Sequence, residues 1–203
     1  MSTKHLIVEK LKDLLYANMV LERGLLVAPV VVMAYNLKNA AALALAFAII
    51  TFVTVVFASF IPKKIPYAVR VIFNVVVAAL MFIPAALAVD QIQPGLVYKL
   101  GIFLPLLITN SLVIQKSETR FRKIPTKRGM IIDLIGHIIG FAIVICLVGA
   151  LRELFGSATL WGKAIGSFQT APALLLPFSG FLLIGMLAAL VNWLKARRER
   201  SDR

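Results

Sequence analysis

Few side chains in this 203-residue sequence could do chemistry, and their spacing narrows the field quickly. There is one cysteine, Cys146, and there are two histidines, His5 and His137. One thiol cannot close an internal disulfide, and no spacing here supplies a structural zinc site or a full cysteine set for an iron–sulfur cluster. Cys146 lies within an apolar run, where a free thiol packs as a small hydrophobe. His137 sits in Gly136-His137-Ile138-Ile139-Gly140, again inside an apolar run. An imidazole there can ligate a haem iron, or stay neutral and hydrogen-bond across a helix interface. Gly136 and Gly140 form a small-residue face that admits a second helix closely. Asp133, one turn before His137, is expected to partner the basic residues of 120–128. Thr109, Asn110 and Ser111 are polar groups in a further apolar run. In hydrocarbon each needs a hydrogen-bond partner, so they should face an opposing segment or another subunit. Arg152-Glu153 and Asp90 stand at the ends of apolar runs, where pairing or capping is expected.

The elements that carry these residues are membrane helices. Apolar residues make up 61% of the chain and charged residues 15%, with a mean hydropathy of +0.93. Soluble domains run at roughly 45–50% apolar and about 25% charged. One water-soluble core of this size could not hide the difference, so a soluble enzyme, a soluble nucleic-acid binder and a disordered chain are excluded. The formal charge of +13 would suggest nucleic acid in a soluble chain. Here the basic residues separate apolar runs, so they read as topology signals and no nucleic-acid partner is expected.

A spanning helix needs about 20 apolar residues. Four runs qualify: 40–61, 68–89, 130–151 and 171–194. Two more are short and interrupted: 24–37, which contains Pro29, and 100–114, which contains Pro105. The expectation is an all-α polytopic protein with six segments. Residues 1–23 form a charged amphipathic lead-in on the membrane surface rather than a cleavable leader. If both termini are cytoplasmic, only Lys38, Lys99, Arg152 and Lys163 of the 22 Lys and Arg fall on the opposite side. Such asymmetry sets both ends on the cytoplasmic side. The short segments are first and fourth, so each opens a set of three, and the two sets run oppositely through the bilayer. That pattern fits an inverted repeat, 24–97 and 98–194, with a basic tail at 195–203 and a site near the midplane. The alternative is that Pro29 and Pro105 merely kink ordinary helices. The basic stretches 116–128 and 195–203 suit anionic lipid heads or an acidic soluble reductase.

Particular residues then point to a family. The run Leu100-Gly101-Ile102-Phe103-Leu104-Pro105-Leu106-Leu107-Ile108-Thr109-Asn110 resembles the fourth-segment signature of a paired membrane family. Its members are the D and E subunits of the sodium-pumping NADH:quinone oxidoreductase (NqrD, NqrE) and their Rnf counterparts (RnfE, RnfA). Ile65-Pro66, Val69-Arg70-Val71-Ile72, Val89-Asp90-Gln91-Ile92, and Ile132-Asp133 with Gly136 and Gly140 agree in order and spacing. So does Leu151-Arg152-Glu153-Leu154-Phe155-Gly156-Ser157 with Leu160, Trp161 and Gly162. The runs 89–92 and 152–157 lean toward the NqrD/RnfE branch, and the likeness spans about residues 16–194.

The resemblance implies a prokaryotic cytoplasmic-membrane protein, a six-helix inverted repeat whose first and fourth segments are half-helices meeting in mid-membrane. Two such subunits pair, each giving one cysteine per half-helix to a shared [2Fe–2S] cluster. This sequence departs there, because the corresponding positions fall on Ala28 and Ser111. A methyl group cannot ligate iron and a serine hydroxyl is a poor thiolate substitute. The chain is therefore expected to be a divergent member without the family cluster. A haem, flavin or quinone at the subunit interface is the replacement carrier left open. Expected partners are a homologous RnfA/NqrE-like subunit or a second copy, flavin- or iron–sulfur-bearing redox subunits, and lipid. The alternatives are a non-redox scaffold and an ion or small-solute transporter on the same fold.

Overall fold

Capping residues and prolines decide where the helices begin. The computed structural model describes residues 26–62, 64–108, 127–165 and 169–201. The first described helix, α1 (Val27–Met33), is two turns long. Pro29 is its third residue, inside the first turn, where a missing N–H costs nothing. Pro29 therefore helps to start this helix and does not kink it. Asn36 is extended and its Oδ1 accepts from Asn39 N at 2.8 Å, which caps α2 (Leu37–Ala58). Pro66 introduces α3 (Tyr67–Ile92), and Pro177 is the first residue of α6 (Pro177–Ser201). Between them runs α5 (Lys127–Ser157). Four stretches are long and apolar enough to cross a membrane: Leu37–Ala58, Tyr67–Ile92, Ile131–Ser157 and Pro177–Leu194.

These four match the four long apolar runs, with two informative shifts. Helix α5 continues past Leu151 to Ser157, so Arg152 and Glu153 are interior helix residues rather than its end. The last helix starts at Pro177, because Pro172–Leu175 winds into a 3-10 turn first. The fourth segment also differs from a single half-helix. Asp90 Oδ1 accepts from Gly95 N at 2.8 Å and ties the turn after α3. A five-residue helix, α4 (Leu96–Leu100), follows, and then two 3-10 turns, Gly101–Phe103 and Pro105–Leu107. Gly101 makes the break, with φ 49° and ψ −132°, a conformation closed to residues with a Cβ. Pro105 opens the second turn. The lead-in 1–23, Thr109–Ser111 and the basic stretch before 127 lie outside the described residues.

Helix α2 is central and packs on both α3 and α5. More than half of its apolar window is buried, against 17% for the windows of α3 and α6. Along α2 and α5 the partners run in opposite order. Ala40 meets Gly149, Phe47 meets Phe141 with ring centroids 4.2 Å apart, and Val55 clusters with Leu134. The two helices are therefore antiparallel. A Cβ at Gly149 would lie 2.7 Å from the Ala40 Cβ and 3.0 Å from the Asn36 carbonyl oxygen. Gly149→Ala should therefore cost about 1–3 kcal/mol of overpacking, read as a lower melting temperature in detergent. Gly185→Ala, with nothing within 4 Å, should leave the melt unchanged. Equal melts for the two variants would disprove the tight α2–α5 seam.

Candidate functional site

The two interrupted segments touch. Helix α1 rests against the Gly101–Phe103 turn, and the Pro105–Leu107 turn rests on α2. Within α1, Pro29, Val30 and Val31 are buried, while Ala28 faces outward. Pro105 is exposed as well, beside buried Leu104. The structure thus places Ala28 and Pro105 on open surface of neighbouring short segments. Thr109, Asn110 and Ser111 lie outside the described residues.

What holds the end of α1 is a residue whose role the sequence suggested only in outline. Arg152 on α5 is fully buried. Its guanidinium has five N–H donors, and five backbone carbonyls accept them. Nη1 donates to Val31 O at 2.6 Å and to Ala34 O at 3.2 Å. Nε donates to Leu174 O at 3.0 Å, and Nη2 to Leu175 O and Leu176 O at 2.8 and 3.2 Å. The cation therefore satisfies carbonyls at the C-terminal end of α1 and the turn that launches α6. Glu153, also buried, faces the other way. Its Oε2 accepts from Leu37 N at 2.7 Å, in the first turn of α2. Its Oε1 accepts from Gly162 N at 2.7 Å and Thr159 Oγ1 at 3.2 Å, pinning a hairpin formed by β1 (Thr159–Leu160) and β2 (Lys163–Ala164). Capping is thus the right description, but by two buried charges inside a helix. The apolar Leu154-Phe155 that follows them was the available signal that the helix continues.

The same run supplies further fastenings. Leu175 packs where a Cβ on Gly156 would come within 2.6 Å. Ser157 Oγ bonds Glu153 O at 2.8 Å and shares a 2.7 Å hydrogen bond with Thr159 Oγ1. Arg152, Glu153, Gly156 and Ser157 therefore tie α1, α2, the hairpin and the start of α6 to the end of α5. Gly180 of α6 completes the arrangement, since a Cβ there would sit 3.0 Å from Val31 O.

His137 lies near Asp133 on α5. Its Nδ1 is 2.7 Å from the Asp133 carbonyl oxygen and 3.8 Å from Asp133 Oδ1. A carbonyl only accepts, so Nδ1 carries the proton, and in the neutral ring Nε2 holds the lone pair. Metal-ligating histidines use this arrangement, with the second nitrogen donating to a carbonyl; so does a histidine in a helix interface. Gly140 is buried one turn on, next to the Phe141 that packs on Phe47. Gly136 is half-buried. Cys146 is half-buried in the same helix. Among the described residues no three of His, Cys, Asp and Glu gather at metal-binding distance. A [2Fe–2S] cluster needs thiolates or imidazoles. At the positions to which the family likeness points, Ala28 and Ser111, the side chains are a methyl and a hydroxyl, and such a pair would not fit one.

The fold and its fastenings define a class: a polytopic, helical membrane protein in which span-length helices are tied together through short, interrupted segments. Residues 6–188 match the family described as "Rnf-Nqr subunit, membrane protein", and the chain belongs to that family. It is 33% identical over 176 residues to the D subunit of the Na(+)-translocating NADH-quinone reductase of Pseudomonas paraeruginosa, covering 81% of this chain and 77% of that one. Against the D subunit of the same reductase in Shewanella oneidensis it is 34% identical over 171 residues, 79% of each chain. For the D subunit from Pseudoalteromonas translucida the figures are 33% over 162 residues, 74% of this chain and 75% of the relative.

Proposed function

We propose that this chain is a membrane subunit of an Rnf- or Nqr-like redox assembly. It supports electron passage across the bilayer between flavin- and iron–sulfur-bearing partners without ligating the family's cluster. The observation that carries this reading is the pairing of a kept scaffold with a lost donor set. Helix α1 and the Gly101–Phe103 turn still meet, and the outward-facing residue there is Ala28. The relatives, each a component of a multisubunit reductase, support the assembly. An electron carrier other than the family cluster, a haem, flavin or quinone at a subunit interface, then bridges the partners. His137, with Nε2 as the basic nitrogen, is this chain's own candidate ligand for a haem.

The architecture we infer is an inverted repeat of six segments. Two features support it: a short element followed by two long helices occurs twice, and the corresponding helices α2 and α5 run antiparallel. The basic asymmetry supports cytoplasmic termini in an inner membrane. Pairing through the face that carries Ala28 and Pro105, with an RnfA/NqrE-like subunit or a second copy, follows from their exposure.

The test is a dithionite-reduced-minus-oxidised optical spectrum of the tagged protein, purified gently with its partners from native membrane. A chromophore at subunit stoichiometry is expected. A featureless spectrum with no redox partner retained would overturn the electron-transfer reading. A scaffold or a solute transporter would then take its place, and solute uptake would separate those two.

A further inference from the structure

Helix α6 exposes a surface with the dimensions of a lipid. Leu183, Met186, Leu187, Leu190 and Trp193 recur at the spacing of one helical face. With Leu151 of α5 they wall an apolar groove of about 550 Å³. From Leu183 to Trp193 the groove follows ten residues of helix, about 15 Å at 1.5 Å per residue. That is half of the roughly 30 Å hydrocarbon thickness, the depth of one leaflet. At the Trp193 end the polarity changes abruptly. The exposed Arg197 guanidinium sits over the indole, its Cζ 5.4 Å from the ring centroid. Tryptophan and arginine are the residues that anchor a helix at the headgroup level, and guanidinium matches phosphate in bidentate geometry. Helix α6 then runs beyond its apolar span to Ser201, through Lys195, Arg198 and Arg200.

We propose that this groove holds one acyl chain of an anionic phospholipid, whose phosphate is bound by Arg197. An apolar trough one leaflet deep, closed at its interfacial end by a fixed cation, is complementary to one phospholipid in both length and charge. A partner helix is the poorer occupant. Close helix pairs in membranes rely on small residues; Ala189 is the one small residue of this lining, and the rest is leucine, methionine and tryptophan, which a flexible chain fits better.

The chain's two tryptophans make the test direct. Trp161→Phe leaves Trp193 as the only indole, and the full-length protein is reconstituted into phosphatidylcholine vesicles containing a minor fraction of phosphatidylglycerol. Bromines are placed on the acyl chains of one lipid or the other, and quenching of Trp193 is measured. Per mole of lipid, brominated phosphatidylglycerol should quench several-fold more strongly. Arg197→Gln should abolish that preference while leaving quenching by brominated phosphatidylcholine in place, which also reports that the protein remains inserted. Equal quenching by the two lipids before the Arg197 change would overturn the proposal, since it indicates ordinary bulk contact. A preference that survives Arg197→Gln would overturn the phosphate site. Quenching by neither lipid would overturn the lipid groove altogether, because a second copy or another protein would then cover the face.

Discussion

Arg152→Met should be the most damaging single substitution in this protein, lowering stability by on the order of 4–6 kcal/mol. The methionine side chain fills much of the same volume, so the loss comes from carbonyl oxygens and not from a cavity. Those of Val31, Ala34, Leu174, Leu175 and Leu176 would lose their charge-assisted donors at once. Leu174 O and Leu176 O keep Ser179 as a donor, so the carbonyls of Val31, Ala34 and Leu175 bear most of the loss; each unpaired buried group costs about 1–3 kcal/mol, and local relaxation recovers part of the sum. Against a typical total of about 5–15 kcal/mol this is decisive. Heating the detergent-solubilised protein and following its monodisperse peak by fluorescence-detected size exclusion measures it. Arg152→Lys should rescue only partly, because an ammonium keeps the charge but offers three donors from one point. A methionine variant that melts with the parent would show that the carbonyl cage contributes nothing.

Glu153→Gln comes next, at about 2–4 kcal/mol. The change is nearly isosteric, yet it replaces two acceptor oxygens by one oxygen and one NH2 group. Both carboxylate oxygens are in use: one takes Leu37 N, the other Gly162 N and Thr159 Oγ1. Whichever way the amide turns, an NH2 group faces a backbone N–H. The signature is local as well as global. Amide hydrogen exchange should quicken at Leu37 or at Gly162 by more than elsewhere in α2 and α5. Thr159→Ala, which removes only the 3.2 Å contact, should have a much smaller effect. Unchanged exchange at both amides in the glutamine variant would contradict the assigned hydrogen bonds.

The spans were open to inspection in the sequence because crossing a membrane is a property of composition over about 20 residues. Pro29 and Pro105 marked the interrupted segments correctly, but not their form. Whether a proline kinks a helix or begins one depends on its position in the first turn, and that is decided by Leu26 and Leu104, the residues that precede each piece. The fourth segment breaks at Gly101 because of a backbone angle, which composition does not record. For Arg152 and Glu153 the difficulty is distance along the chain. The guanidinium's partners lie 22 to 24 and 118 to 121 residues away. No local pattern distinguishes a charge at a helix end from one that is buried among remote carbonyls. Ala28 and Ser111 enter the proposal only through the family likeness, since an alanine and a serine carry no chemical signal of their own at a ligand position.

The separation of 121 residues between Arg152 and Val31 also sets an order of events at the ribosome. Chains grow at about 5–20 residues per second, so the carbonyls at the end of α1 are made roughly 6–24 s before the guanidinium that will hold them. During that interval α2 and α3 can insert and pair, and Asn39 Nδ2 can already hold Met33 O, but Val31 O and Ala34 O wait for their charged donor. The end of α1 is thus secured late, and the fifth helix acts as the stitch that ties an early segment to elements made after it.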